Sequence, residues 1–411
     1  MIQLRDYQLE IRDKASEVLM NKGFVYLAME VRTGKTLTSL AIAKKIKSKS
    51  VLFITKKKAI SSIEGDFDKF GADFYIHVIN YESLHKVSTH IKFDTIIIDE
   101  AHSISAFPKP SKRAKDVRML IIKNKAKVIL LSGTPTPESY SQMYHQVYGI
   151  PKNPFSEYSN FYKFSRKYVR VKQRFINGII VNDYSEGLET IMDDMKPHMM
   201  AFSQKEAGFK VDTKEQVLEV EMKKTTYELA ERLKKHLVIE AKEEVVLADT
   251  PVKLMMKLHQ IYSGTVKFES GNSEVLDYSK AEFIRKQFKN VKVGIFYKFK
   301  AELEALKYVY GDALTTELTE FENTDKSIAL QIVSGREGIS LRQAKALVYY
   351  NIDFSATSYW QSRDRMTTKE RLKSDVYWIF SKGGIEKQIY KAVTKKKDYT
   401  LSHFRKDLLS L

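Results

Sequence analysis

Three short stretches hold residues that could act on a phosphate ester. The first, "EVRTGKT" (residues 30–36), follows the apolar run "FVYLAM" (24–29). Between a strand and a helix, the backbone N–H groups of Gly34, Lys35 and Thr36, aided by the helix dipole, could hold phosphate oxygens. Lys35 would reach the β- and γ-phosphates, and the Thr36 hydroxyl would ligate Mg²⁺. The tripeptide by itself is weak, since a glycine-rich loop would be usual here. Met29 takes the first small position, and Arg32 and Thr33 stand where glycines are expected. The second stretch, "DTIIIDEAH" (94–102), puts Asp99 and Glu100 at the end of an apolar run about 65 residues further on. Asp99 there can hold Mg²⁺ and Glu100 can activate an attacking water. A lone acidic pair could instead cap a helix. The third, "VILLSGTPTP" (128–137), ends in Ser132, Gly133 and Thr134, which could sense the state of the site; alone it would pass for an ordinary strand-to-turn junction. In this order the three point to ATP hydrolysis, with ATP and Mg²⁺ as the expected cofactors.

Such loops need strands that end side by side. From Phe24 onward, β-rich runs alternate with helical stretches: "KTLTSLAIAKKI", "SVLFIT", "AISSIEGDFDKF", "FYIHVI", "FDTIIIDE" and "KAKVILLSG". That alternation predicts parallel strands joined by crossover helices, hence an α/β sheet. A second set begins at "VKVGIFYK" (291–298) and continues through "SIALQIVSG", "ALVYYNID" and "DVYWIFSK". Between the sets, roughly 205–285, lies a charged stretch read as mostly helical and typified by "TTYELAERLKKHLVIEAKEEVVL". The expected boundaries are an N-terminal lobe at 1–205, with a basic aromatic helical insertion at about 140–200, and a C-terminal lobe at 206–411, with a helical insertion at about 222–285.

Composition narrows the classes. At 411 residues the chain has room for about two domains. Glycine and proline are scarce, at 17 and 8, which argues against long flexible linkers. No run approaches a membrane span, and the polar start "MIQLRDYQLE" lacks the apolar core of a signal peptide. With no cysteine there are no disulfides or thiolate metal sites. The expectation is a cytoplasmic protein. The 69 Lys and Arg outnumber the 51 Asp and Glu, for a net charge of +18. Such an excess points to a polyanion, nucleic acid first, with a basic surface kept for solubility as the alternative.

The motif set resembles the Snf-type (Swi2/Snf2-like) branch of superfamily 2, a DEAH-box helicase and translocase family. The resemblance implies two RecA-like parallel-sheet lobes with helical protrusions between and beside them. "LRDYQ" (4–8) looks like the family's first motif, in which Gln8 contacts adenine; without the family, Gln8 reads equally as an exposed helix residue. His102 belongs to the "DEAH" run and, with Ser132, Gly133 and Thr134, takes the coupling role. "VLFITKKKAISSIEGDFDKF" (51–70) and "VINYESLHK" (78–86) correspond to DNA-contacting motifs, placing Lys56 and Tyr81 on nucleic acid. "VSGREGISLRQAKALVYYNID" (333–353) is similar to motif V, with Gly335 and Gly338 kept, Ser340 for the usual asparagine and Arg336-Glu337 for a small pair. "YWQSRDRMTTKER" (359–371) looks like motif VI. Gln361 and Arg365 fall on its glutamine and first arginine, while Thr368 replaces the second; Arg363 and Arg371 are the available substitutes. The implied catalytic set is Glu100, Asp99, Arg365 and Gln361, with Gln8, Arg32, Thr33, Gly34, Lys35, Thr36 and Gly338 on the nucleotide and Thr36 and Asp99 on the metal.

Residues 155–175, "FSEYSNFYKFSRKYVRVKQRF", interleave aromatics with lysines and arginines. Lys163, Arg166, Lys167 and Arg170 could track a phosphate backbone while the aromatics stack on bases. The alternative is an amphipathic protrusion whose aromatics pack inward. The run onward to "QKEA" loosely resembles annealing-helicase members of the family. The favoured expectation is a minimal, monomeric motor of phage or bacterial type that translocates on duplex DNA and remodels branches or forks. A strand-separating DNA or RNA helicase and an ATP-switched binding module with little turnover are the competing readings.

Overall fold

In the computed structural model, every residue is described except Met1, Thr89, 177–178, 209–211, 242–243, 333–340, 356–357, 360–361, 363–372 and 395–411. The chain forms two compact units, Met1–Phe209 and Lys210–Leu411.

In the first unit α1 (Asp6–Lys22), β1 (Phe24–Met29), α2 (Lys35–Lys45), β2 (Ser50–Thr55), α3 (Ile60–Phe70) and β3 (Tyr75–Asn80) follow in turn. Next come β4 (Thr95–Ile98), α4 (Lys112–Asn124), β5 (Lys127–Leu131), α5 (Met143–Val147) and α6 (Phe161–Tyr168). A hairpin of β6 (Lys172–Ile176) and β7 (Ile179–Asp183), then α7 (Thr190–Met195) and β8 (Met199–Phe202), complete it. Six strands lie parallel in the order β3-β2-β4-β5-β1-β8. Parallel strands covered on both faces read as unbroken apolar runs, as "FVYLAM" and "TIII" do. Alternate residues serve opposite faces. Phe24, Tyr26, Leu52, Ile54, Ile96 and Ile98 join one core cluster, and Val25, Leu27, Val51, Phe53 and Ile97 join the other.

The second unit repeats the plan. It runs β9 (Asp212–Val220), α8 (Lys224–His236), β10 (Val238–Ala241), β11 (Glu244–Leu247), α9 (Pro251–Tyr262), β12 (Thr265–Lys267), β13 (Ser273–Val275) and α10 (Ser279–Gln287). It continues with β14 (Val293–Tyr297), α11 (Lys300–Tyr310), β15 (Leu314–Thr315), α12 (Leu318–Asn323), β16 (Ser327–Gln331), β17 (Ala346–Tyr349), β18 (Lys373–Ser381) and a helix at Glu386–Val393. Its six parallel strands are ordered β15-β16-β14-β17-β18-β9. The α/β class and paired parallel sheets agree with the sequence reading.

The insertions differ from the helical expectation. Within 140–200, α6 is followed by the antiparallel hairpin β6-β7. The stretch near 205–285 begins with the nine-residue edge strand β9, paired to β18. It also holds the hairpins β10-β11 and β12-β13 between its helices. "VIEA" and "EVVL" are rich in β-branched residues, which suit a half-buried pleated surface better than one more turn of α8. Among the described residues no helix is long and apolar enough to cross a membrane.

Candidate nucleotide-binding and hydrolysis site

The first-unit site residues gather at the C-terminal ends of the strands, where open parallel sheets place their ligand crevices. Loops after β1, β4 and β5 carry the three motifs. Because β5 lies between β1 and β4, the Ser132 turn sits between the phosphate loop and the acidic pair. Neither motif spacing nor periodicity could give that order.

The loop of residues 30–34 is braced from several sides. Thr33 is fully buried, and its hydroxyl donates to the Glu30 carbonyl at 2.7 Å. Tyr7 donates its hydroxyl to the Thr33 carbonyl, 3.1 Å away. After β8, Gln204 donates its backbone N–H to Glu30 Oε2 at 2.7 Å and its side-chain amide to the Val31 carbonyl at 3.0 Å. Arg32 takes φ 62°, a left-handed conformation that glycine reaches without steric cost. Gly34 takes φ 83° and caps α2 with no side chain on the helix's first N–H groups. A Cβ on Gly34 would come within 2.3 Å of Gln8 Nε2, which would have to shift, and at this positive φ any larger residue would be strained. The result is a helix start with its amides open to an anion. Lys35, the next residue, donates to the Glu30 carbonyl at 3.3 Å, and Thr36 follows in the first turn.

Gln8 is neither exposed nor aimed outward. It is buried, its Nε2 donates to the Gly34 carbonyl at 3.2 Å and to Thr38 Oγ1 at 3.4 Å, and its Oε1 accepts from the Arg5 N–H at 2.9 Å. Its amide thus joins the start of α1 to the phosphate loop.

Asp99 follows β4 and takes the Thr55 hydroxyl on Oδ2 at 2.8 Å. The register pairing Ile54 with Ile98 sets Thr55 beside Asp99, a contact that the sequence did not signal. Burial, followed by the charge of neighbouring Glu100, pushes the Asp99 carboxyl up to about 6, against the pull of Thr55 and Lys35. Glu100 adopts φ 50° and ψ 51°, a left-handed conformation uncommon for any residue with a side chain. From there its Oε2 lies 3.3 Å from His102 Nδ1. The same nitrogen is 3.0 Å from Ser132 Oγ, which also accepts from the Thr134 N–H at 3.1 Å. Thr134 Oγ1 is buried without a hydrogen-bond partner among the described residues. A Cβ on Gly133 would lie 3.6 Å from Lys35 Nζ, so this turn abuts the phosphate loop.

Tyr81, expected on nucleic acid, is instead a core residue: it is buried, and its hydroxyl donates to the Asp99 carbonyl at 2.5 Å. It braces the acidic strand end. Lys56 lies just past β2, at the cap of the short helical turn Lys57–Ala59. Helix α6 settles the alternatives for residues 155–175. Phe155, Phe161, Phe164 and Tyr168 are buried in the first-unit core, whereas Lys163, Arg166, Lys167 and Arg170 are exposed. These four aromatics are packing residues, whereas Tyr162 is exposed and Tyr158 half-buried. Two unflagged residues connect this helix to the site. Gln146 on α5 donates to the Pro135 carbonyl at 2.8 Å and accepts from the Tyr26 hydroxyl at 2.7 Å. Tyr144, two residues earlier, packs against Phe161 and Phe164 of α6.

Gly338, Gln361 and Arg365 lie outside the described residues, as do Gly335, Arg336, Glu337, Ser340, Arg363, Thr368 and Arg371.

The SNF2-related domain profile matches residues 42–265, and that of the type III restriction enzyme, res subunit, matches residues 1–73. No curated protein matches the chain. Two solved structures of the Sulfolobus solfataricus SWI2/SNF2 ATPase core are similar to it. The core in complex with dsDNA is 16% identical with a TM-score of 0.44, the alignment covering 96% of this chain and 91% of that one. The core domain is 17% identical with a TM-score of 0.43, over 96% and 89% of the two chains. Since the SNF2-related profile spans more than half of the 411 residues, the chain belongs to the SNF2-related family, the ATPases of the helicase-like superfamily.

Proposed function

We propose that this ATPase is a motor that translocates on duplex DNA and remodels branched or forked DNA in recombination, repair or replication. One chain of contacts carries the reading. Glu100 meets His102, His102 meets Ser132, and the turn after Ser132 is held through Pro135 by Gln146 on α5. Helix α5 packs on α6, whose outer face presents Lys163, Arg166 and Lys167. A change at the hydrolysis site therefore has a packed route to a basic surface. The net charge of +18 and the duplex bound to the Sulfolobus core support DNA as the partner.

The residues present fit a nucleotide with its magnesium ion. Among the described residues no side chain caps the amides at the start of α2 and Thr134 Oγ1 has no partner, and Asp99 is held at a raised pKa that a nearby cation would relieve. Thr36 and Asp99 would hold the metal, which when bound neutralises phosphate charge. Lys35 and the α2 amides orient the phosphates, and Glu100, fixed by His102, accepts a proton from the attacking water. Arg365 supplies positive charge to the transferring group, and Gln361 precedes it by four positions.

The ATPase rate tests this reading. It is measured without nucleic acid and with single-stranded DNA, linear duplex, a four-way junction and duplex RNA, all at one salt concentration, with Lys35→Ala as the blank. Strongest stimulation by duplex or junction DNA is the expected result. Stimulation only by single strands or RNA would replace the proposal with a strand-separating helicase, and none at all with an ATP-driven switch.

A further inference from the structure

Helix α4 carries more apolar surface than the sheet beneath it covers. Ala114, Val117 and Ile121 form one stripe of the helix, buried in the first-unit core. Met119 and Ile122 stand one turn apart on the opposite side, 69% and 52% exposed. Across a groove from them lies the short helical turn Tyr81–Lys86, with Leu84 buried and Val87, just past it, half-buried. The groove holds about 490 Å³, and Leu84, Val87 and Leu120 join its lining to the core cluster. A recess of that volume takes several side chains at once.

Its rim is basic. By helical spacing Lys112, Lys115 and Lys123 share the outer stripe of α4 with Met119 and Ile122, and Lys86 ends the facing turn; all four are exposed. Asp116 is the one acid in the lining, and Arg113 is already paired with Glu82. Leu84 and Lys86 fall in "VINYESLHK", read from the sequence as a DNA contact. A phosphate backbone would meet the lysines, yet it gains nothing from Met119 and Ile122, which are stabilised only by apolar cover. A second copy of this chain would set one lysine rim against another.

We propose that the groove between α4 and Tyr81–Lys86 docks an acidic amphipathic helix of a partner protein. Apolar side chains of that helix at i, i+3 or i+4 and i+7 fill the groove, and the flanking carboxylates meet Lys86, Lys115 and Lys123. A contact of this size suits a transient partner and not a permanent subunit. ATP and DNA take no part in it, so it goes beyond the motor reading and stands or falls separately.

The probe is a fluorescein-labelled peptide of about 18 residues, long enough to hold a helix, with leucine on one face and glutamate on the others. A scrambled peptide of the same composition is the control, because a chain of net charge +18 attracts any acidic peptide. Fluorescence anisotropy with the full chain should show saturable binding, about tenfold or more tighter for the amphipathic peptide. The Met119→Ser/Ile122→Ser variant should lose about tenfold or more of that affinity, and so should Lys115→Glu/Lys123→Glu. Both pairs are exposed, so melting temperatures should stay near wild type. Lys14→Glu lies on α1, which packs on the opposite face of the sheet, and should leave binding within about twofold. No saturable binding, equal binding of the scrambled peptide, or unchanged affinity in the serine variant would each overturn the proposal. So would a dimer that the serine variant dissolves, which would assign the groove to a second copy. Loss of phosphatidylserine-vesicle or duplex binding in that variant, in place of peptide binding, would assign it to a membrane or to nucleic acid.

Discussion

Two residues of the site hold backbone conformations that a side chain ordinarily avoids. Arg32 at φ 62° and Glu100 at φ 50° both sit where the chain leaves a strand and must turn sharply. For an L-residue that conformation costs about 1–2 kcal/mol. At Glu100 the cost is offset by placing the carboxylate against His102. Glu100→Gln is therefore expected to abolish turnover while retaining ATP binding, because the turn and the phosphate loop remain; hydrolysis at the wild-type rate would refute the assignment. Lys35→Ala should abolish turnover too, and equilibrium binding of a fluorescent ATP analogue would separate the two variants. At Arg32 the demand is on the backbone. Arg32→Gly should keep nucleotide affinity within about threefold, whereas Arg32→Val, β-branched at positive φ, should lose about tenfold or more. Equal affinities for the two would mean that the side chain, and not the turn, is what matters there. At φ 62°, Arg32 occupies a backbone conformation that glycine would take without steric cost.

Among the elements, α6 separates packing from binding on its two faces. Phe164 is fully buried and touches Tyr144, Phe155, Tyr158, Phe161 and Tyr168. Phe164→Ala should cost about 3–5 kcal/mol of first-unit stability. Lys163, Arg166 and Lys167 face outward, so their joint replacement by alanine should leave the melting temperature nearly unchanged. It should weaken duplex binding and flatten the slope of log affinity against log salt by up to about 3. An unchanged slope would mean that the duplex does not lie on this face of α6. The basic-aromatic pattern was visible in the sequence, and so was its ambiguity. An eight-residue helix shows both faces to a reader of sequence, and only the packing of α5 and the core against one of them decides which is inside.

For the molecule as a whole, buried histidines set part of its acid sensitivity. His198 stacks on Phe24 at 4.3 Å, and burial, helped by the charge of Lys22, lowers it from 6.5 to about 4. His145 and His259 are lowered in the same direction by burial. Between pH 6.5 and 4 the unfolded chain binds a proton at His198 that the folded one does not, so this contribution to stability falls as pH falls through that window. Asp99 works in the opposite sense, since its raised carboxyl takes up a proton in the folded state first. The clean test is a comparison. His198→Phe should gain melting temperature relative to wild type as pH drops from 7 to about 4.5. A constant difference across that range would mean that His198 is not held neutral.

The sequence by itself determined the parts whose cause is local. Continuous apolar runs between helical stretches specify buried parallel strands, and Gly34-Lys35-Thr36, Asp99-Glu100 and Ser132-Gly133-Thr134 fall at strand ends because the chain must turn there. The tertiary structure decided which parts meet. Strand order put the Ser132 turn between the phosphate loop and the acidic pair, and the β2-β4 register brought Thr55 to Asp99. Packing turned Gln8 and Tyr81 inward and made core of Phe161, Phe164 and Tyr168. It also brought Tyr359, Trp378 and Tyr390 onto Glu215 from positions 144 to 175 residues away. Periodicity reports how one segment divides between apolar and polar faces. Which distant segment covers each face is a property of the assembled sheet, and the contacts that orient the candidate catalytic residues are almost all of that second kind.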